Sequence, residues 1–207
     1  MNDEMSSRMK IFGFLMTCLM VFYHCPIIDA NYADSVIDFK ANEFISYAFT
    51  AMGSVVMSYF FAVTGFLLFR GLDFETYLVK IKRRFFSLLV PYILWQGVVT
   101  VLNIIQKQYI FVLGDFISRT FGFMMWPEDG AIWYLYAVFF LALLSPVILI
   151  VFRNKRIGWM TVLLVILFLQ VKGAISNPLF QSIINYGYIG NVLGYLPPYL
   201  VGCFCGK

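Results

Sequence analysis

The chain has 207 residues, of which 61% are hydrophobic and 13% charged, with a mean hydropathy of +0.83. A soluble domain rarely exceeds about half apolar residues, so these figures exclude an ordinary soluble protein and indicate a polytopic membrane protein. The net charge of +4 does not predict a nucleic-acid partner, because the basic residues cluster beside apolar runs, where they orient a membrane chain. The four cysteines, Cys18, Cys25, Cys203 and Cys205, lie in or beside apolar runs without metal-site or redox spacing. They read as small packing residues, with no disulfide, metal or bound cofactor expected.

Polar residues 1–10, with Arg8 and Lys10, lead into the first apolar run, 11–28. No A-x-A cleavage site follows, so this run is expected to stay in the mature protein as a first span. A polar loop over 29–46 carries Asp29, Asp34, Asp38 and Glu43 against Lys40. The second span, 47–69, ends in FFAVTGFLLFR, and Arg70, Lys80, Lys82, Arg83 and Arg84 make a basic connection to the third, 85–105. Pro91 falls near the start of that span, where its missing N–H is tolerated.

Residues 109–126 place Asp115, Ser118, Arg119 and Gly122 on one side and Tyr109, Val112, Leu113, Phe116 and Thr120 on another. This predicts a helix lying in the membrane interface, with Asp115 and Arg119 spaced to pair. A turn over 127–130 precedes the fourth span, 131–152, which contains Pro146 and is followed by Arg153, Lys155 and Arg156. The fifth span, 157–171, is short, with Lys172 placed to snorkel from its end. The sixth, 189–205, is interrupted by Gly190, Gly194, Pro197 and Pro198. With the N-terminus in the cytoplasm, eleven of the fifteen basic residues fall on that side, as the positive-inside bias requires. The predicted fold is all-α: a polytopic bundle of about six spans, as a single membrane-embedded domain over 1–207.

His24, in LMVFYHCP, is the only histidine. An ionisable group within a membrane segment marks a functional site by default, and a neutral imidazole is a natural general base. A histidine at the lipid–water boundary, hydrogen-bonded to a neighbour, is the competing reading. At 100° per residue, Lys10, Gly13, Thr17 and Met20 fall on or near the face of His24. The stripe therefore has a cation near the inner end and an imidazole near the outer end, about 21 Å apart. The small residues Gly13 and Thr17 favour close approach of another helix, and a plain packing stripe without chemistry fits them as well.

Four stretches in this order resemble acyltransferase family 3, integral-membrane O-acyltransferases of bacterial surface glycans. VFYHCP resembles the first-span motif with its catalytic histidine. FFAVTGFLLFR resembles the second-span signature, and KIKRRFFSLLVPYILW the basic loop and Pro-Tyr span. AIWYLYAVFFLALLSPVI resembles the tryptophan-aromatic span ending in Ser-Pro. Two features depart from the pattern. The family usually places an arginine eleven residues before the histidine, where this chain has Gly13, with Lys10 the nearby cation. Family members also have about ten spans, so the C-terminal spans are expected to be lacking here.

The resemblance implies a multi-pass protein of the inner (plasma) membrane of the cell envelope. It would transfer an acyl group, by O-acetylation if the donor is acetyl-CoA, from cytoplasmic acyl-CoA to a saccharide or glycolipid hydroxyl at the outer face. His24 would act as general base or acyl carrier. Lys82, Arg83 and Arg84 would attract the donor's phosphates, although orienting charge explains them too. Trp133 and Tyr134 would line an acceptor site, or belong to an interfacial aromatic belt. Thr64 and Gly65 read as a point of close helix approach. A transporter of lipid-linked saccharide and an inactive truncated remnant are the alternatives.

Overall fold

The computed structural model describes residues 3–24, 39–108, 110–121, 132–171 and 189–207. The polar loop over 29–38, Tyr109, the turn over 127–130 and Lys172 lie outside these. The described helices are α1 (Asp3–His24), α2 (Phe39–Phe69), α3 (Phe74–Arg84), α4 (Val90–Ile105), α5 (Leu113–Phe121), α6 (Trp133–Leu143), α7 (Ser145–Val151), α8 (Lys155–Val171) and α9 (Ile189–Gly206). A π-helical turn, Phe85–Leu89, joins α3 to α4. Among the described residues no strand occurs.

Among the described residues, three helical stretches are long and apolar enough to cross a membrane: Glu4–Tyr23, Thr50–Phe69 and Phe74–Ile105. The pair α6 and α7, bent by 51°, makes a fourth if taken as one span. α8 and α9 have 17 and 18 residues, just under the ~20 that a span perpendicular to the bilayer needs. α2 is longer than its apolar run predicts, because it starts at Phe39, inside the segment expected as loop.

Each proline break has a local cause. A proline ring clashes with the carbonyl four residues back and cannot donate to it. Pro91 thus disturbs the chain at Ser87, and the helix widens so that Val90 N–H donates to the Phe85 carbonyl, five residues back. Pro91 is the second residue of α4, near its start as the sequence suggests, within the 32-residue helical stretch from Phe74 to Ile105. Pro146 frees the Ala142 carbonyl in the same way, and the neighbouring Ser145 hydroxyl donates to it. The bend between α6 and α7 falls there.

The chain divides into two compact units, Met1–Val63 and Thr64–Lys207. In the first, α1 packs on α2. The Tyr59 hydroxyl donates to the Met9 carbonyl at 3.4 Å, and a Cβ on Gly53 would lie 2.8 Å from the Tyr23 ring, so glycine is what permits this contact. A Cβ on Gly13 would be 3.9 Å from the Tyr59 hydroxyl, an ordinary contact. Gly13 therefore does mark a helix–helix approach. The remaining face of α1, with Ile11, Phe12, Phe14 and Leu15, is exposed, as a lipid-facing surface would be.

In the second unit α2 ends at Phe69, and Gly71 just beyond it takes φ +62°, the left-handed conformation that closes helices at low cost for glycine. Asp73 then caps α3. Its carboxylate accepts from Thr76 N–H at 2.7 Å, and the Thr76 hydroxyl accepts from Asp73 N–H at 3.1 Å, a reciprocal capping box. Leu89, Tyr92, Tyr136 and Phe139 form a buried cluster between the π turn, α4 and α6. Phe152, Trp159 and Phe204 stack where α7, α8 and α9 meet, with ring centroids 5.6 and 4.6 Å apart.

Candidate functional site

The second unit holds a polar cluster at the meeting of α2, α3, α6 and α9. It starts from Gly65. A Cβ there would run into the Tyr199 carbonyl and lie 3.0 Å from Cys203 N. Both are backbone atoms that cannot swing aside, so only glycine lets α2 and α9 cross at this distance. The crossing buries Tyr199 and Cys203 completely and leaves Thr64 facing α6. The Thr64 and Tyr134 hydroxyls are 2.7 Å apart, a hydrogen bond at full strength by geometry.

Arg84 supplies the charge. Lys82 and Arg83 are exposed on α3, but Arg84, at the edge of the π turn, lies inward and donates from Nη2 to the Thr64 carbonyl at 3.3 Å. Its guanidinium acts electrostatically on Tyr134, Tyr199 and Cys203. The Tyr199 hydroxyl is fully buried and has no hydrogen-bond partner among the described residues. Ser145 and Cys203 are its polar neighbours, but the Ser145 proton goes to the Ala142 carbonyl. A cation with phenols around it, inside apolar helices, can hold an anionic or strongly polarised group. An unsatisfied buried hydroxyl beside it costs free energy of about 1–3 kcal/mol, which fits a group kept ready for a partner.

The residues expected from the sequence fall in different places. Arg84 and Tyr134 meet in this cluster. Tyr134, half-buried, is held by Thr64, and Trp133 stacks on Tyr195 with centroids 5.7 Å apart. Lys82 and Arg83, with Val79, Phe86 and Ser87, line an open groove on the outside of α3 and the π turn. Lys80 is spent on the end of α2, donating to the Leu68 and Arg70 carbonyls at 3.0 and 2.7 Å. Lys10 is exposed on α1. His24 is the last residue of α1, so only its backbone position is described.

Tyr199, Cys203 and Ser145 were not singled out from the sequence as site residues. Tyr199 sits in PPYL and Cys203 in VGCFC, where nothing separates them from packing residues. The signal for Ser145 was present: a hydroxyl beside a mid-span proline is placed to satisfy the freed carbonyl.

Described residues that are all helical outside turns, with helices of membrane length and an arginine turned inward beside buried phenols, define a membrane protein with a polar site among its helices. The model of the acyltransferase domain family matches residues 14–207, and the chain belongs to this family, the one its four stretches resemble. The matched region includes His24 and every member of the Arg84 cluster. No curated protein and no solved structure matches the chain at a significant level.

Proposed function

We propose that this membrane acyltransferase domain moves an acyl group, acetyl in the simplest case, from acyl-CoA to a hydroxyl of a cell-surface saccharide or glycolipid. The observation that carries the reading is the family match over residues 14–207. His24 acts as general base. It takes the proton of the acceptor hydroxyl as the oxygen attacks the thioester carbonyl, a C–O bond forms, and the C–S bond breaks. CoA leaves as its thiol once a proton reaches the sulfur. In the alternative, covalent route, the imidazole first carries the acyl group and then passes it on.

The excess of Lys and Arg on one side supports a cytoplasmic N-terminus and about six spans, with His24 toward the outer leaflet of the plasma membrane. The stretch from Phe74 to Ile105 is 32 residues, or about 48 Å, against a hydrocarbon core of ~30 Å. The surplus is α3, so Lys82 and Arg83 sit at the cytoplasmic headgroup level, where the donor's phosphates approach. Arg84 lies just inside and steadies the polar group that follows them. Lys10, on α1, adds a cation on the same side.

The test is mass analysis of surface glycans from cells with and without the intact gene, together with release of free CoA by membranes carrying the protein. Loss of an acyl ester from the glycan and loss of CoA release support the reading. Unchanged glycans and no acyl-CoA consumption exclude it.

A further inference from the structure

The cations of α3 are Lys80, Lys82, Arg83 and Arg84. Lys80 and Arg84, one turn apart, reach carbonyls in and just after α2. Lys82 and Arg83 lie off that face and are exposed. Among the described residues neither side chain has a hydrogen bond or an ion pair. With Val79, Phe86 and Ser87 they line a groove of about 450 Å³. Val79, Lys82, Arg83 and Phe86 follow the i, i+3, i+4, i+7 spacing of one helix face. The acidic side chain on that face, Glu75, stands about 10 Å along the axis from Lys82, so no carboxylate lies between the two cations.

The groove wall is held from behind. Phe86 packs edge-on against Phe85, with centroids 5.4 Å apart, and Phe85 packs on Phe139 of α6 at 6.1 Å. Phe86 is nonetheless 60% exposed and Val79 54%, so the hydrocarbon of the groove is open to whatever lies beside α3. Its depth in the membrane identifies that neighbour. Gln106 and Lys107 close the span at one end. The ~20 residues needed to cross the hydrocarbon core, ending at Ile105, begin at Phe86. Lys82 and Arg83 then stand about 5 to 6 Å beyond the core edge, within the headgroup layer. This register holds at either face of the membrane, so it depends neither on the orientation of the chain nor on acyl transfer.

We propose that this groove binds one anionic phospholipid of the adjoining leaflet. Its phosphate lies between Lys82 and Arg83, its acyl chain runs along Val79 and Phe86, and the Ser87 hydroxyl donates to an ester carbonyl of the glycerol. Charge complementarity selects the class. Two adjacent cations attract a headgroup of net negative charge, and the guanidinium offers phosphate paired N–H donors. The ammonium of a zwitterionic headgroup is repelled by the same two cations. The donor's phosphates meet these cations as well, but a polar pantetheine arm follows the phosphates of CoA, whereas hydrocarbon follows the phosphate of a lipid. Val79 and Phe86, on the core side of the cations, match the lipid.

Native mass spectrometry tests this on the full chain, stripped of co-purifying lipid in detergent and titrated with phosphatidylglycerol or phosphatidylethanolamine of matched chains. One retained phosphatidylglycerol is expected, bound at least tenfold more tightly than phosphatidylethanolamine, since each Lys or Arg at an anionic headgroup strengthens binding. The variant Lys82→Gln with Arg83→Gln should lose that preference at an unchanged melting temperature, and Arg83→Gln alone should lose part of it. Lys155→Gln with Arg156→Gln, which removes two exposed cations of α8, should keep it. Equal retention of the two lipids, or a preference that survives the loss of both groove cations, overturns the proposal. Binding of free CoA that the groove variant weakens, with no preference between the lipids, also overturns it and leaves the cations to the donor.

Discussion

Arg84 donates from guanidinium Nη2 to the Thr64 backbone carbonyl at 3.3 Å, a contact that ties the end of α3 to α2. The guanidinium held there interacts electrostatically with Tyr134, Tyr199 and Cys203. Replacing Arg84 by Leu is expected to lower CoA release at least tenfold. Arg84→Lys should rescue little, because an ammonium on a flexible stem lacks the planar fork that reaches a carbonyl and a ligand together. Arg83→Leu, on the exposed face, should have the smaller effect on turnover. Rates of thioester loss in the three variants check the order.

The Thr64–Tyr134 hydroxyl pair is testable by a double-mutant cycle. Thr64→Val or Tyr134→Phe alone leaves one part-buried hydroxyl without its partner and should destabilise by about 1–3 kcal/mol. The double variant should lose less than the sum, with a coupling of about 0.5–1.5 kcal/mol. Additive losses in thermal unfolding within membranes would show that the pair contributes nothing specific.

Gly65 and Gly13 should respond oppositely to one added methyl. At Gly65 the methyl meets backbone of α9, so Gly65→Ala should cost about 1–3 kcal/mol through overpacking and lower yield in the membrane. At Gly13 the nearest atom is the Tyr59 hydroxyl at 3.9 Å from the new Cβ, and Gly13→Ala should be neutral or slightly stabilising. Quantified insertion and melting of both variants give the comparison.

The cap of α3 carries a pH dependence. Hydrogen bonds from the Thr76 side chain and backbone hold the Asp73 carboxyl below its usual pKa. A carboxyl depressed by folding stabilises the native state above its unfolded pKa, and that contribution is lost as pH falls through the native value. Hydrogen exchange at the Thr76 amide, corrected for intrinsic rate, should therefore stay slow at neutral pH and accelerate below the usual aspartate range. In Asp73→Asn the protection should no longer depend on pH there.

The apolar runs located the described helices because membrane spans need length and hydropathy, and both are local properties. Helix ends were less legible. α2 continues back to Phe39 through residues whose polarity suggests a loop. The site divided in the same way. The sequence named Arg83 and Arg84 together, and only the helix phase at the π turn separates the exposed one from the interior one. Tyr199 was not legible at all, because its role depends on Gly65 letting two distant segments touch.

The most direct measurement of the central claim is acyl transfer by a His24→Ala variant that inserts and melts like the unaltered protein. Free CoA release and acyl ester on the surface glycan should both fall by about 10²–10⁴-fold, the range general-base catalysis supplies. Acylation at the unaltered rate in that variant would contradict the role given to His24.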